Sequence, residues 1–362
     1  MPADTEAIRA GARNLLCNCA GVKPGQSVLF VREAPEAGYY DEASPDCVIS
    51  EAERLGVKAR SIVSPLVASA DAFPQAIYRA MEDADHTIFF SRLGDQLRFN
   101  NLGDIQSVAM CYALDAEILS APVCRVPYQL SVRVLAKLQA ELDAARYWRV
   151  TCPLGTDVSG SSIPRESGEE AAHGFSLRLF PLGPFRPIPC EPMTGTLVTQ
   201  WLPPVVTRRY EPFGIGFESP VSIAVNAGRI TGFDGEERAT ARARSHYERL
   251  AKMFSLADPY TIFSWHGGAN PQIFYPRPAA DDIERWNGVV HSHPRYTHFH
   301  SCGDTPPGEI AIAAIDPTIE FDGTRYWDHG RLVFLERADV RDILSEYPGF
   351  EYAFDVSQSF GL

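Results

Sequence analysis

The chain has 362 residues, 45% of them hydrophobic, which is enough for two compact domains that each bury a core. Its formal net charge of -13 and its lack of any basic block argue against nucleic acid as a partner. No apolar run approaches the ~18 residues that span a bilayer, and the N-terminus lacks the basic-then-apolar order of a signal peptide, so we expect no membrane partner and a cytoplasmic location.

Strand-like and helix-like segments alternate from Gln26 to about Pro153. "QSVLFV", "VKARSIV" and "HTIFFS" are typical of strands, whereas "CVISEAERLG" and "FPQAIYRAMEDAD" have helical spacing. Strands separated by helices indicate a mostly parallel sheet covered by helices. We therefore predict an α/β, Rossmann-like N-terminal domain over residues 1–153. No G-x-G-x-x-G follows the first strand, so the pattern does not predict a dinucleotide cofactor.

The composition changes after about Leu154, where Pro and Gly become frequent and strand-like runs become shorter. "TGTLVTQWLPPVV" and "PVSIAVNAGRITGF" are such runs, and "ERATARARSHYERLAKMF" is a helical pattern between strands. We predict a β-rich α+β C-terminal domain over residues 154–362, which holds eight of the nine histidines. "GTDVSG" at 155–160 lacks the strand-turn-helix context of a nucleophile loop and is predicted to form a turn.

Three short stretches of this second domain carry six histidines. They are "FSWHGGANPQ" (263–272), "HSHPRYTHFHSCG" (291–303) and "GTRYWDHGRL" (323–332). In a strand, His298 and His300 would point to one face and Phe299 to the other. Imidazoles with a carboxylate form the usual ligand shell of mononuclear non-haem iron, and the same groups suit catalytic zinc. We predict at least one ligating or catalytic histidine here, the alternative being a polar strand of hydrogen-bonded structural histidines.

Asp328 and Tyr326 are the further candidates, in the stretch "RYWDHG". Asp328 is a candidate metal ligand, the orienting partner of a histidine, or the exposed corner of a turn. Tyr326 offers a phenol that can ligate a metal or donate a proton, although an aromatic residue in a strand more often packs.

The order of segments over most of the chain resembles the aminopeptidase T-like metallopeptidases. It is more similar to their non-haem iron branch, typified by 2,5-dihydroxypyridine 5,6-dioxygenase. "SVLFVREAP" and "EAERLGVKARSIVSP" resemble the family's opening strand, helix and strand, and "GTDVSG" resembles its domain junction. "TGTLVTQWLPP", "VSIAVNAGRITGFDG", "GGANPQ" and "YWDHG" follow in the family's order. The resemblance also implies a homo-oligomer.

The resemblance argues against a dinuclear peptidase site. The peptidases bind two metals with glutamates in segments that match "TQWLPP" and "SWHGGANP". This chain has Gln200 or Trp201 at the first position and Ser264 at the second.

The dioxygenase branch instead uses one histidine in the segment that matches "SWHGGANP" and a later His-x-Asp pair. Asp328 matches its position, His266 matches after a shift of two residues, and Tyr326 replaces the remaining histidine. The missing imidazole would then come from His298 or His300.

The first hypothesis is therefore an Fe(II)-dependent dioxygenase that opens a hydroxylated aromatic or N-heteroaromatic ring with dioxygen. Its predicted metal ligands are His266, His298 or His300, and Asp328. His291 or His293 would act as acid or base, and Tyr326 is a further proton donor. Aromatic side chains would wall a flat pocket, namely Trp265, Phe274 and Trp327.

Two rival hypotheses remain open. One is a metal-assisted hydrolase of peptides or small amides that uses Zn(II) or a related ion. The other is a metal-free binding or accessory protein that keeps the family fold, with the histidines used for ligand recognition.

Overall fold

The computed structural model describes residues 5–362 apart from 66–71, 99–101, 104, 106, 165–176 and 206–213. The strands of this part are β1 Ser27–Glu33, β2 Lys58–Ser64, β3 His86–Phe90, β4 Val108–Cys111, β5 Tyr147–Thr151, β6 Asp157–Ser161, β7 Arg178–Phe180, β8 Ile188–Pro189, β9 Thr194–Leu202, β10 Ile215–Asn226, β11 Arg229–Gly235, β12 Ile262–Gly267, β13 Tyr296–Ser301, β14 Ile310–Ile315, β15 Thr318–Phe321, β16 Thr324–Asp328 and β17 Arg331–Leu332. The α-helices are α1 Thr5–Arg13, α2 Ala43–Arg54, α3 Gln75–Glu82, α4 Ala116–Ser120, α5 Pro122–Arg125, α6 Tyr128–Ala144, α7 Glu237–Phe254, α8 Ile283–Val290 and α9 Ala338–Ser345.

A parallel sheet with the strand order β2-β1-β3-β4-β7 organises the N-terminal half. Every residue of β3 and β4 is buried, as expected for central strands of a parallel sheet covered on both faces. Helices α2 and α3 lie in the connections between its first three strands. This confirms the predicted α/β arrangement.

Two antiparallel sheets organise the C-terminal half. The larger has the order β11-β10-β9-β6-β5-β15-β16-β17, and the smaller has the order β14-β13-β12-β8. Helix α7 packs on β10 and β11 and corresponds closely to the helix predicted from "ERATARARSHYERLAKMF". The predicted β-rich α+β architecture is therefore confirmed as well.

Two strands cross the boundary that the sequence predicts near residue 153. β5 precedes that boundary but pairs with β6 and β15 in the larger antiparallel sheet. β7 follows it but completes the parallel sheet beside β4. The chain therefore passes between the two halves more than once, which links them through backbone hydrogen bonds.

The segment "GTDVSG" is not simply a turn. Gly155 closes the turn through its amide, which donates to the Cys152 carbonyl at 3.0 Å, and Asp157 already opens strand β6, which pairs with β5 and β9. The local Gly and Asp content predicts a turn, but pairing with two neighbouring strands extends the backbone here. No helix in the described part of the chain is both long and apolar enough to cross a membrane.

A buried ion network joins the parallel sheet to α8. Arg92, just after β3, pairs with Glu33 at the end of β1 at 2.7 Å and also contacts Glu284 in α8. All three side chains are buried. The carboxyl ends of the parallel strands, where α/β folds commonly place their sites, therefore lie against the helix that leads to His291.

Candidate metal centre

Strands β12 and β13 bring three histidines together. In this antiparallel pair His266 lies opposite His298, and Ser264 lies opposite His300. Phe299 points to the other face, where its ring stacks on Trp265 with centroids 6.0 Å apart. The alternation predicted for "HFH" is thus confirmed, and the strand pairing adds His266 to the same face.

The three imidazoles form a compact group that we call the histidine cluster: His266, His298 and His300. One nitrogen from each ring lies within 4.8 Å of the others. The Nε2 atoms of His266 and His298 are 2.9 Å apart. Exposed fractions of 3%, 4% and 7% show that water barely reaches the rings. The cluster is the one group of three or more candidate metal ligands found among the described residues.

Hydrogen bonds orient the rings of His266 and His300. The Nδ1 atom of His266 lies 2.9 Å from the carbonyl oxygen of Phe185, and because a carbonyl only accepts, this nitrogen donates. Neutral His266 therefore presents an unprotonated Nε2 to the cluster. His300 contacts the Ser264 hydroxyl through Nδ1 at 3.1 Å. Such bonds on the far nitrogen are the usual support of metal-ligating histidines.

Burial keeps these imidazoles neutral. It lowers the pKa of His266 to about 3, with the nearby Arg98 acting in the same direction. Burial also holds the pKa values of His298 and His300 well below the usual range, assisted by the neighbouring imidazoles and Arg98. Neutral imidazole is the form that binds a metal. The His298 Nδ1 atom is buried and has no partner in the described part of the chain.

His291 lies beside the histidine cluster. It follows α8, whose first turn is capped by the Asp282 carboxylate accepting from the Arg285 amide at 2.9 Å. His291 donates through Nδ1 to the Gly288 carbonyl at 3.0 Å, so its buried Nε2 is an acceptor, and no described residue bonds it. Its ring centroid is 6.4 Å from that of His298. Burial lowers the pKa of His291 to about 3.

His293 is engaged elsewhere. Its Nε2 contacts the Ser357 carbonyl at 3.2 Å, and its Nδ1 accepts from the Arg295 amide at 3.0 Å. The ring packs on Phe360 with centroids 4.8 Å apart. Both nitrogens therefore have structural partners, which does not fit the acid or base role expected from the sequence.

Asp328 and Tyr326 lie outside the histidine cluster. The Asp328 carboxylate pairs with Arg325 at 3.0 Å and with the exposed His329 at 3.1 Å. Tyr326 donates to a Glu141 carboxylate oxygen at 2.8 Å. Both residues belong to β16 in the larger sheet, whereas the cluster belongs to the smaller one. This geometry does not bring Asp328 to the metal position that the resemblance implies, and it gives Tyr326 a partner in α6.

The aromatic residues predicted to wall a pocket are mainly core residues. Trp265 is fully buried and packs on Trp148 and Phe185, on the face of β12 opposite His266. Trp327 is also fully buried and donates through Nε1 to the Gly268 carbonyl at 3.0 Å. Phe274 is partly buried at the edge of the core.

The N-terminal half supplies three residues near the cluster that the sequence did not single out: Asp95, Arg98 and Tyr112. Tyr112 follows β4 and packs edge-on against His291, with centroids 5.2 Å apart. Its hydroxyl donates to Asp95 at 2.6 Å, and Arg98 contacts the same carboxylate oxygen at 3.3 Å. None of the three lies in a recognisable motif. The sequence offered one clue to them: each follows a strand of the parallel sheet, and α/β folds commonly place their sites at these strand ends.

Solved structures of two other proteins share this fold. The structure of 2,5-dihydroxypyridine dioxygenase from Pseudomonas putida KT2440 has a TM-score of 0.63 and 17% sequence identity, over 94% of this chain and 100% of that one. Wild-type AmpT, an aminopeptidase T, from Thermus thermophilus has a TM-score of 0.50 and 12% identity, over 91% and 99% of the respective chains. No protein-family model and no curated protein matches the sequence. The predicted resemblance is confirmed at the level of the fold.

Proposed function

We propose that this protein is a metal-dependent enzyme, and specifically a mononuclear non-haem Fe(II) dioxygenase that opens a hydroxylated aromatic or N-heteroaromatic ring. The observation that carries the proposal is the histidine cluster, in which three buried imidazoles gather on one face of β12 and β13. The Nε2 atoms of His266 and His298 hydrogen-bond to each other at 2.9 Å. A metal ion bound by all three rings would replace this bond and satisfy imidazole nitrogens that burial removes from water.

The donor set fits a metal. His266 is fixed in the tautomer that presents Nε2, and the 2.9 Å between the Nε2 atoms of His266 and His298 suits two neighbouring ligands of one ion. Three protein ligands leave positions open, as catalytic sites require. We assign His266, His298 and His300 as the ligands. Asp328, which the resemblance implied as a ligand, is left out because it pairs with Arg325.

A bound ferrous ion would supply redox chemistry with dioxygen and Lewis acidity toward the substrate's hydroxyl. The chain's own residues would orient the ring. We propose that His291 accepts a hydrogen bond from the substrate's hydroxyl, because its Nε2 is unprotonated, buried and next to the cluster. Burial of the site excludes bulk water, which protects reactive species from side reactions.

The supporting comparison is the shared fold. The structure of a dioxygenase for 2,5-dihydroxypyridine aligns with 94% of this chain, although identity is only 17%. We therefore propose a small aromatic substrate and dioxygen as partners, without transferring that enzyme's own substrate.

A zinc-dependent hydrolase of peptides or small amides is the second candidate. The specific observation in its favour is the all-imidazole ligand set, which is one of the known sets of catalytic zinc. AmpT supports this candidate too, but only through its fold.

Oxygen uptake distinguishes the two. The protein is loaded with Fe(II) or Zn(II) under nitrogen and then mixed with a panel of hydroxypyridines and hydroxybenzenes in aerated buffer. The dioxygenase proposal expects substrate-dependent oxygen consumption with iron only, lost in His291→Gln while the bound iron is kept. Hydrolysis of aminoacyl anilides by the zinc form, without oxygen uptake by the iron form, would favour the hydrolase and overturn the first proposal.

A further inference from the structure

Two alanines lie beside the histidine cluster on strand β14. This strand pairs with β13 so that Ala311 lies opposite His300 and Ala313 lies opposite His298. Directly opposite residues of an antiparallel pair point to the same face, with Cβ atoms about 5 Å apart. Ile312, which lies between the two alanines, points to the other face. Next to the two histidines, β14 therefore contributes only methyl groups, and we call Ala311 and Ala313 the alanine floor.

The histidine rings reach away from the alanine floor. Nε2 of His298 bonds Nε2 of His266 at 2.9 Å, and Nδ1 of His300 contacts the Ser264 hydroxyl at 3.1 Å. Both partners belong to β12, which pairs with β13 on the side opposite β14. The imidazoles therefore lean toward β12 and leave the methyl groups of β14 uncovered by the cluster. Exposed fractions of 1% and 2% show that the floor is closed to bulk water.

Two buried nitrogen atoms beside the floor lack a partner. They are Nδ1 of His298, which lies directly opposite Ala313, and Nε2 of His291. The ring centroids of these two histidines are 6.4 Å apart, and no described residue bonds either atom. Buried polar atoms require a partner. Both atoms therefore point to a ligand that brings a polar group into the space beside the floor.

Neighbouring segments already engage backbone groups of the alanine floor. The Ala313 carbonyl accepts from the Thr199 hydroxyl at 2.7 Å, and the Ala311 amide donates to the Pro203 carbonyl at 2.9 Å. Together with the methyl side chains, these bonds make the floor an apolar surface. A ligand that fits both the floor and the two nitrogen atoms is polar at one edge and apolar at the other.

We infer that Ala311 and Ala313 are specificity-determining residues that make room for the substrate's ring and select a ring whose far edge is uncharged and apolar. This inference rests on the proposed function, because it takes the ring's hydroxyl to be held by iron at the histidine cluster. The polar edge of the ring then faces the iron and His291, and the far edge lies on the alanine floor. Apolar carbon gains free energy on leaving water, whereas a charged group buried there would lack a partner.

Enlarging residue 313 in steps provides the test. The variants are Ala313→Gly, Ala313→Val and Ala313→Leu, and Ala224→Leu is the control at an exposed alanine of β10. Titration calorimetry under nitrogen measures the binding of catechol to the Fe(II)-loaded proteins. Elemental analysis measures the iron, and circular dichroism checks the fold. Electron paramagnetic resonance follows the binding of nitric oxide, a small ligand that needs only an open position on the iron.

We expect Ala313→Val to bind catechol about tenfold or more weakly than the wild type and Ala313→Leu more weakly still, because the added methyl groups occupy the space of the ring. Ala313→Gly adds no atoms and should bind catechol at least as tightly as the wild type. Iron content and the nitric oxide signal should stay at the wild-type level in all variants, and Ala224→Leu should match the wild type throughout.

Equal catechol affinities in Ala313→Gly, Ala313→Val and the wild type would overturn the inference. Loss of iron together with catechol binding would overturn it too, because the alanines would then support the metal ligands instead of the ring. Ala313→Val keeps the test valid if the larger Ala313→Leu does not fold.

A matched pair of catechols tests the far edge of the ring in the wild type. The two compounds are 4-methylcatechol and 3,4-dihydroxybenzoate, which carry a methyl group and a carboxylate at the same ring position. The carboxylate should weaken binding about tenfold or more relative to the methyl group, because the floor gives it no partner. Equal affinities would overturn the selection of an uncharged edge.

Binding under nitrogen needs no turnover, so this inference and the proposed function fail separately. Catechol binding that depends on residue 313, in an iron-loaded protein that consumes no oxygen with any ring, would support the alanine floor and overturn the dioxygenase. Substrate-dependent oxygen uptake that is unchanged in Ala313→Leu would overturn the role of the floor and leave the dioxygenase standing.

Discussion

The Nε2 atoms of His266 and His298 lie 2.9 Å apart, on residues directly opposite each other in β12 and β13. Two metal-nitrogen bonds of about 2.1 Å at a right angle place their nitrogen atoms about 3.0 Å apart. Side chains of directly opposite residues approach within about 5 Å at Cβ. The register of this strand pair therefore sets the spacing of two proposed ligands before any metal binds.

Removing one cluster histidine should abolish metal retention. We expect His298→Ala and His266→Ala to hold less than about a tenth of the wild-type metal after desalting, because two imidazoles remain where three are needed. Asp328→Ala should retain the wild-type amount, since its carboxylate pairs with Arg325 and His329. Elemental analysis measures the metal, and circular dichroism checks the fold. Loss of metal in Asp328→Ala would restore the ligand set that the sequence predicts.

Ser264 should tune the metal affinity without ligating. Its hydroxyl contacts Nδ1 of His300 at 3.1 Å and orients that ring. Ser264→Ala should weaken metal binding about tenfold, which is the low end for such supporting contacts. Competition against a fluorescent chelator measures the affinity. Ser159→Ala removes an exposed hydroxyl on β6 and is the control, which should behave as wild type. Equal affinities for Ser264→Ala and wild type would remove Ser264 from this role.

Arg92 should be essential for stability. Arg92→Leu leaves the carboxylates of Glu33 and Glu284 buried without their cation, which should cost about 3–5 kcal/mol in the free energy of unfolding. Urea unfolding followed by tryptophan fluorescence measures it.

The exposed Arg325→Leu is the matched control for Arg92→Leu and should cost less than about 1 kcal/mol. Adding Glu33→Gln and Glu284→Gln to Arg92→Leu should recover part of the loss. If Arg92→Leu lowers the free energy of unfolding no more than Arg325→Leu does, the ion network does not stabilise the contact between the two halves.

His293 should make the protein sensitive to acid. Burial lowers the pKa of His293 from 6.5 to about 4. Between these two pH values the imidazole is protonated in the unfolded chain and neutral in the folded chain. Stability is then full above pH 6.5 and falls as the pH drops toward 4, by up to about 3 kcal/mol from this group.

The test is His293→Gln, in which the amide can still donate to the Ser357 carbonyl but does not titrate. Its free energy of unfolding should fall less steeply between pH 6.5 and 4.5 than that of the wild type. The two slopes should differ by at most the contribution of one proton, about 1.4 kcal/mol per pH unit. Parallel curves for the two proteins would show that His293 does not control this acid sensitivity.

The sequence predicted local features of the site well. The two-residue spacing of His298 and His300 requires a shared face in any strand, and the alternating segments before residue 153 require a largely parallel sheet. Both depend on neighbouring residues alone, and both are confirmed by the structure.

Long-range pairing was the part that the sequence could not supply. The resemblance grouped His266 with His298 or His300, but their pairing depends on a strand register between residues 32 positions apart, which periodicity alone does not predict. Asp328 was placed by resemblance, yet β16 pairs within the other sheet and the carboxylate meets Arg325. Tyr112 lies after β4 without a motif, and its contact with His291 arises from the packing of the two halves. Such relationships follow from tertiary structure and leave no periodic signal.

The most direct test is the metal content of the untagged protein purified without oxygen, measured by elemental analysis as isolated and after supply of Fe(II) or Zn(II). Our account predicts close to one ion per chain, lost in His298→Ala and kept in Asp328→Ala. Iron bound at that ratio would support the ring-opening dioxygenase. No metal retained under any of these conditions would contradict the account, and the histidine cluster would then have to be explained as a binding site for an organic ligand.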